Sequence, residues 1–226
     1  MEIDHVLMAV AGLDQGAERL EKELGLKVQA GGRHPGLGTV NRILPLGQQY
    51  LELIAVADPA EAATSRLGQR VTKSVAGGRT FVDWALRTDD LGALQDRLRG
   101  AGWELPPAWS GSRPRPDGMV LRWRTQDLDP SLDATVIPFV IEWDIPAGAH
   151  PGEQGAQHTL TKVVLGARDP DAALAKLRLL LGDSLARKER ASFRSCSCSS
   201  EKAKSIPLEE SKGWPEGPAW PARSSP

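Results

Sequence analysis

The chain has 226 residues, a net charge of -1 and 40% hydrophobic content, which suits one compact domain or two small fused ones with a substantial core. A balance so near neutral, with no basic stripe, excludes nucleic acid as the main partner. No apolar run reaches the ~18 residues of a membrane span. MEIDHVLMAV lacks the basic start of a cleaved leader, and a cytoplasmic location is expected. The only cysteines, Cys196 and Cys198, have no partners to complete a thiolate site and read as incidental tail residues, not a disulfide scaffold.

In chain order, MEIDHVLMAV alternates polar and apolar residues as a strand does. LDQGAERLEKELGL follows with Leu13, Ala17, Leu20 and Leu24 at helical spacing and Gly25 as a stop. Glycine and proline punctuate residues 31–38. TVNRILPL and QYLELIAV then read as two strands joined at Gly47.

The same grammar returns in TFVDWALRTDDLGALQDRLRGAGWEL, with Leu91, Leu94 and Leu98 as the helical stripe and Gly102 as its stop. MVLRWRT and PFVIEWDI are its later strands, so residues 80–145 repeat the order of residues 1–57. The register that sets Leu13 against Leu91 also sets Leu20 against Leu98 and His5 against Asp83. The last strands are matched through their glutamates, Glu52 against Glu142. The second copy is longer by a polar stretch near residues 126–138, expected as a surface loop. A third beginning, HTLTKVVLGARDPDAALAKLRLLLG, lies in an expected partial module of residues 156–186 and has Lys162 where His5 stands. Residues 187–226 are rich in Ser, Pro, Lys and Glu, lack periodicity and are expected to be disordered. HPGEQGAQH, with His150 and His158, reads as a linker.

Glu52 is the residue that asks for an explanation, because it sits between Leu51 and Leu53 in an apolar strand, and a lone buried carboxylate costs several kcal/mol. Strand alternation places His5 and Asp83 away from the helix-bearing faces, with Glu52 and Glu142 at matching positions on the last strands. One imidazole and three carboxylates suit Zn, Mn, Fe, Ni, Co or Mg. The same four residues also suit a metal-free ion-pair network with Arg87 beside Asp83. His34, between glycines and Pro35, is expected on a loop at the mouth of the site as an acid-base group; Asn41, Arg42, Arg87 and Arg122 are candidates for holding an anionic or carbonyl-bearing substrate.

The pieces IDHVLMAV, GGRHPGLGTVNRILPLG and YLELIAV resemble the glyoxalase-like branch of the vicinal oxygen chelate superfamily, over roughly residues 1–182. The resemblance implies an α+β fold in which paired βαβββ modules form a cupped mixed sheet with outer helices, here with a partial third βα module. It also implies a divalent ion held by first and last strands. His5 and Glu52 match the first-module ligand positions and Glu142 the second-module glutamate, which would also be catalytic; Asp83 stands where a histidine is common. Two functions follow. One is a metal-dependent lyase, isomerase or dioxygenase acting on a small oxygen-bearing molecule. The other is a metal-free small-molecule binding or resistance-type protein. The expected partner is a small molecule, neither nucleic acid nor membrane, with a homodimer left open.

Overall fold

The computed structural model describes residues 1–115, 117–133, 136–153 and 158–181, together with two short strands, Cys196–Cys198 and Ile206–Leu208. The first copy forms β1 (Glu2–Ala9), α1 (Leu13–Leu24), β2 (Gln29–His34), β3 (Thr39–Pro45) and β4 (Tyr50–Val56). After α2 (Pro59–Thr64) and α3 (Arg66–Ala76), the second copy forms β5 (Phe81–Arg87), α4 (Leu91–Gly100), β6 (Trp109–Pro114), β7 (Val120–Gln126) and β8 (Phe139–Trp143). A 3₁₀ turn, Pro151–Glu153, and α5 (Pro170–Leu181) follow.

The eight strands make one mixed sheet in the order β2-β3-β4-β1-β5-β8-β7-β6. Outward from its centre, each copy runs first, fourth, third, second strand. β1 is parallel to β4 and β5 to β8, while β1 and β5 join the copies antiparallel. This is the expected pair of βαβββ modules. The edge strands β2 and β6 approach each other, so the curved sheet nearly closes.

The convex face carries the main core. Val6, Met8, Leu44, Leu51, Leu53, Trp84, Leu86 and Val140 from the sheet pack against Ala17 and Leu20 of α1 and Leu91, Leu94 and Leu98 of α4. The apolar stripes read from the sequence are thus the buried ones. Gly25 ends α1 at φ +69°, a left-handed conformation that a side chain would strain.

α5 joins the same core through Leu177 and Leu180, and Arg97 of α4 donates to the carbonyl oxygens of Leu179 and Leu180 at its C-terminal end. Residues 158–169 bury Leu160 and Leu165 but enter no ladder. Of the expected tail, only Cys196–Cys198 and Ile206–Leu208 are described, and they pair antiparallel; the rest of that expectation lies outside the described residues.

Among the described residues α2 and α3 have no counterpart in the second copy. Asp58 caps α2 by accepting from the N–H groups of Ala60 and Glu61, and Ser65 caps α3 by accepting from Gly68 N–H. Unlike α1 and α4, α3 packs on the concave face: Val71 meets Leu7, Ala9, Ile54 and Val82. It plugs one end of the cup. The loop after β7 is tied down on α3, where Arg66 pairs with Asp127 at 2.9 Å and Lys73 with Asp133, and by Arg79 just past the helix, which also pairs with Asp133.

Candidate functional site

Inside the cup lies a cavity of about 390 Å³, a size common for small-molecule sites. Its two halves differ in chemistry. The first copy supplies His5 from β1, His34 from the end of β2, Asn41 from β3, and Tyr50 and Glu52 from β4. The second supplies Trp109, Trp123, Phe139, Ile141 and Trp143. Trp123 lies 6.2 Å from Trp109 and 5.6 Å from Trp143, so one wall is continuous aromatic surface.

Glu52 has its partners here. Asn41 Oδ1 accepts from Gly32 N–H at 2.8 Å, which leaves Asn41 Nδ2 to donate to Glu52 Oε1 at 2.6 Å and to His34 Nε2 at 3.2 Å. His34 Nε2 is therefore an acceptor, and Nδ1 carries the hydrogen, donated to Thr39 Oγ1 at 2.9 Å. Burial lowers the His34 pKa; the Glu52 charge opposes that shift and Arg113 adds to it. The ring is held neutral. His5 Nε2 faces Glu52 Oε2 at 3.5 Å.

His5 is fixed from behind. A register shift between Ile3 and His5 makes Asp4 the extra residue of a bulge and turns it toward its neighbour's ring. Asp4 accepts from His5 Nδ1 at 2.6 Å, His150 Nε2 at 3.0 Å and Trp143 Nε1 at 3.1 Å. Burial pushes the Asp4 carboxyl up, but the hydrogen bonds and charges of the two histidines outweigh it and hold Asp4 below the usual carboxylate range. The His5 ring stacks on Tyr50 at 4.4 Å. Burial, with the charges of Asp4 and Glu52, raises the Tyr50 pKa and keeps its hydroxyl protonated.

Asp83 also lines the cup, and its cation is Arg70, not Arg87. Arg70 Nη1 donates to Asp83 Oδ2 at 2.8 Å and Trp84 N–H to Oδ1 at 2.8 Å. The rest of the Arg70 guanidinium holds the loop after β7, through Asp127 and the carbonyl oxygens of Asp129 and Ser131. Arg87 instead pairs with Glu2 at 2.9 Å, outside the cavity lining.

The structure therefore brings His5, His34, Asn41, Glu52 and Asp83 together and leaves the other candidates elsewhere. Glu142 is on the opposite face, where it accepts from Leu91 N–H at 3.0 Å, capping α4, and from Arg124 Nε at 2.7 Å. The reason is register. Leu7 pairs with Glu52, and its counterpart Ala85 pairs with Phe139, so the ladder equivalent of Glu52 is Phe139; an odd slip along β8 turns a side chain to the other face. Arg42 reaches Asp14 on α1, and Arg122 is exposed on the outer face of β7. His34 closes a strand and is buried, not exposed on a loop.

Sequence reasoning passed over Asp4, Arg70, Arg113 and the tryptophans. A signal existed for the last two, since alternation in WSGSR puts Trp109, Gly111 and Arg113 on one face.

These residues do not fit a metal centre. Glu142 is on the far face, Asp83 is already paired with a guanidinium, and His34 Nε2 accepts from Asn41. Among the described residues no group of three or more His, Cys, Asp or Glu is placed to hold an ion.

Two βαβββ modules closed around a cup lined by polar and aromatic groups define a vicinal oxygen chelate type of protein with a small-molecule cleft. A family described as the glyoxalase-like domain matches residues 3–181, and the chain belongs to it. No curated protein matches the chain. Among solved structures, a hypothetical protein from Staphylococcus aureus is 17% identical with a TM-score of 0.66, over 79% of this chain and 75% of that one, and shares the fold. Methylmalonyl-CoA epimerase from Mycobacterium tuberculosis is 22% identical over 63% of this chain and 86% of that one, at a TM-score of 0.45. A hypothetical protein from Bacillus halodurans is 15% identical over 66% and 96%, also at 0.45. No helix among the described residues is long and apolar enough to cross a membrane.

Proposed function

We propose that the chain takes up a small oxygen-bearing organic molecule in the cup without a metal ion, its flat apolar part against the tryptophan wall and its oxygen toward His5 and Tyr50. The observation that carries this reading is the buried Arg70–Asp83 pair, 2.8 Å apart, which puts a guanidinium where a metal site would need a free carboxylate. The test is elemental analysis of the purified full chain, with melting curves before and after EDTA. Substoichiometric metal and an unchanged melting temperature are expected. About one divalent ion per chain, lost in Glu52→Gln, would overturn the reading.

A second reading, proton transfer by His5, has one observation in its favour. Asp4 holds Nδ1 at 2.6 Å while Nε2 faces the cup, the arrangement that orients a general base. Exchange of an acidic C–H of a bound ketone or acid with D₂O, lost in His5→Ala and slowed in Asp4→Asn, would support it. Equal exchange in wild type and His5→Ala would exclude it.

A further inference from the structure

The inner row of β6 runs Trp109, Gly111, Arg113, and Arg113 is only 5% exposed. It lines the cup at the seam where β6 meets β2. Among the described residues Arg113 makes no hydrogen bond or ion pair, in contrast to Arg70, whose guanidinium is taken up by Asp83, Asp127 and two carbonyl oxygens. The atoms sealed without a partner are Ser74 Oγ and Arg79 Nε among the described residues, so the Arg113 guanidinium opens onto the cup, where only water or an entering ligand can accept from its five N–H donors.

Its neighbourhood is shaped to admit it. A Cβ built on Gly32 of β2 would come 3.0 Å from Arg113 Cδ and 3.3 Å from Nη1, so the bare glycine backbone is what lets the stem cross the seam into the cup. Burial lowers the Arg113 pKa, and Tyr50 and Glu52 oppose that shift. A guanidinium remains charged at neutral pH even so.

We infer that Arg113 anchors the carboxylate of a small planar or aromatic acid whose ring lies against Trp109 and Trp123. The guanidinium fork matches a planar carboxylate in a two-point geometry. Glu52 lines the same cavity, so a phosphate dianion would meet more repulsion than a monoanion does. The inference rests on the reading of the cup as a small-molecule site and adds the charge of the ligand and the residue that selects it.

The test uses the full chain and two acid/amide pairs as probes, benzoate with benzamide and indole-3-acetate with indole-3-acetamide, followed by tryptophan fluorescence and thermal shift. Each acid is expected to bind wild type about tenfold more tightly than its amide. In Arg113→Gln that preference should vanish while the amide affinity stays within about twofold. Without any ligand, Arg113→Met should melt no lower than wild type, because no hydrogen bond or ion pair to a described residue is lost. Equal binding of acid and amide to wild type would overturn the inference and leave the small-molecule reading standing. A fall of several degrees in unliganded Arg113→Met would overturn it too, showing a structural arginine. Binding of neither acids nor amides would overturn both readings.

Discussion

Asp4 is fully buried and accepts three hydrogen bonds, so its contribution depends on pH with a definite sign. Its folded pKa lies below the ordinary value near 3.8. The stabilisation is therefore fully present above that value and is lost as pH falls below it, because the unfolded chain takes up the proton first. Asp4→Asn should cost roughly 3 kcal/mol at neutral pH and make the acid limb of a stability-pH curve shallower. His34 has its own signature in the same direction. Its folded pKa is held below the ordinary 6.5, so as pH drops below that value the unfolded chain binds a proton that the folded chain refuses, and stability falls; well above it the residue contributes no slope. Chemical denaturation of His34→Gln across that range should show a flatter pH dependence than wild type, and an identical slope would contradict the buried neutral ring.

At the scale of elements, α3 and β8 decide what the cup contains. α3 carries Arg70 onto Asp83 and, through the same guanidinium, ties the loop after β7 across the end of the cup. Arg70→Met leaves Asp83 buried beside no cation and should lower stability by about 3–5 kcal/mol. Adding Asp83→Leu to Arg70→Met should recover much of that loss, since the stranded charge goes with it; denaturant midpoints of the single and double variants measure the coupling. Glu142 belongs to a different economy of contacts, at the N-terminal end of α4 and beside a half-exposed Arg124. Glu142→Ala should cost only about 1 kcal/mol, the worth of a lost cap, and leave ligand binding in the cup unchanged. A loss of binding in that variant would mean that β8 presents its other face in solution.

At the scale of the whole molecule, the core closes with α5: Leu177 is 3% and Leu180 0% exposed. Truncation after residue 191 is expected to leave the melting temperature within about 2 °C of the full chain, since the tail's composition offers little apolar surface to bury. Truncation after residue 156 removes both leucines and the acceptors of Arg97 and should lower the melting temperature by roughly 10 °C or more. Equal melting of all three chains would show that α5 is only peripheral. The two modules share one strand order, yet the first brings both histidines, Tyr50 and Glu52, and the second brings the aromatic wall with Asp83 and Arg113, with α3 and its arginine inserted between them.

What the amino-acid sequence determined by itself is the part carried by short periods. Alternation in IDHVLMAV and YLELIAV, and helical spacing from Leu13 to Leu24 and from Leu91 to Leu98, specify which faces are buried, and the recurrence of that order specifies a paired-module sheet. His5, Asn41 and Glu52 were legible for the same reason: each is a polar residue on a strand of the first copy, and β1, β3 and β4 lie within one module. The tertiary structure alone decided the rest. Matching glutamate to glutamate put Glu142 in the cup, whereas the pairing of Ala85 with Phe139 puts it on the far face, and periodicity within a strand carries no information about register against its neighbour. The bulge that turns Asp4 toward His5 arises only where β1 meets β5. Arg70 finds Asp83, and Arg113 faces the cup without an acceptor among the described residues, because of how a helix and an edge strand pack around a curved sheet, and charges meet across space by that packing and not by their spacing along the chain.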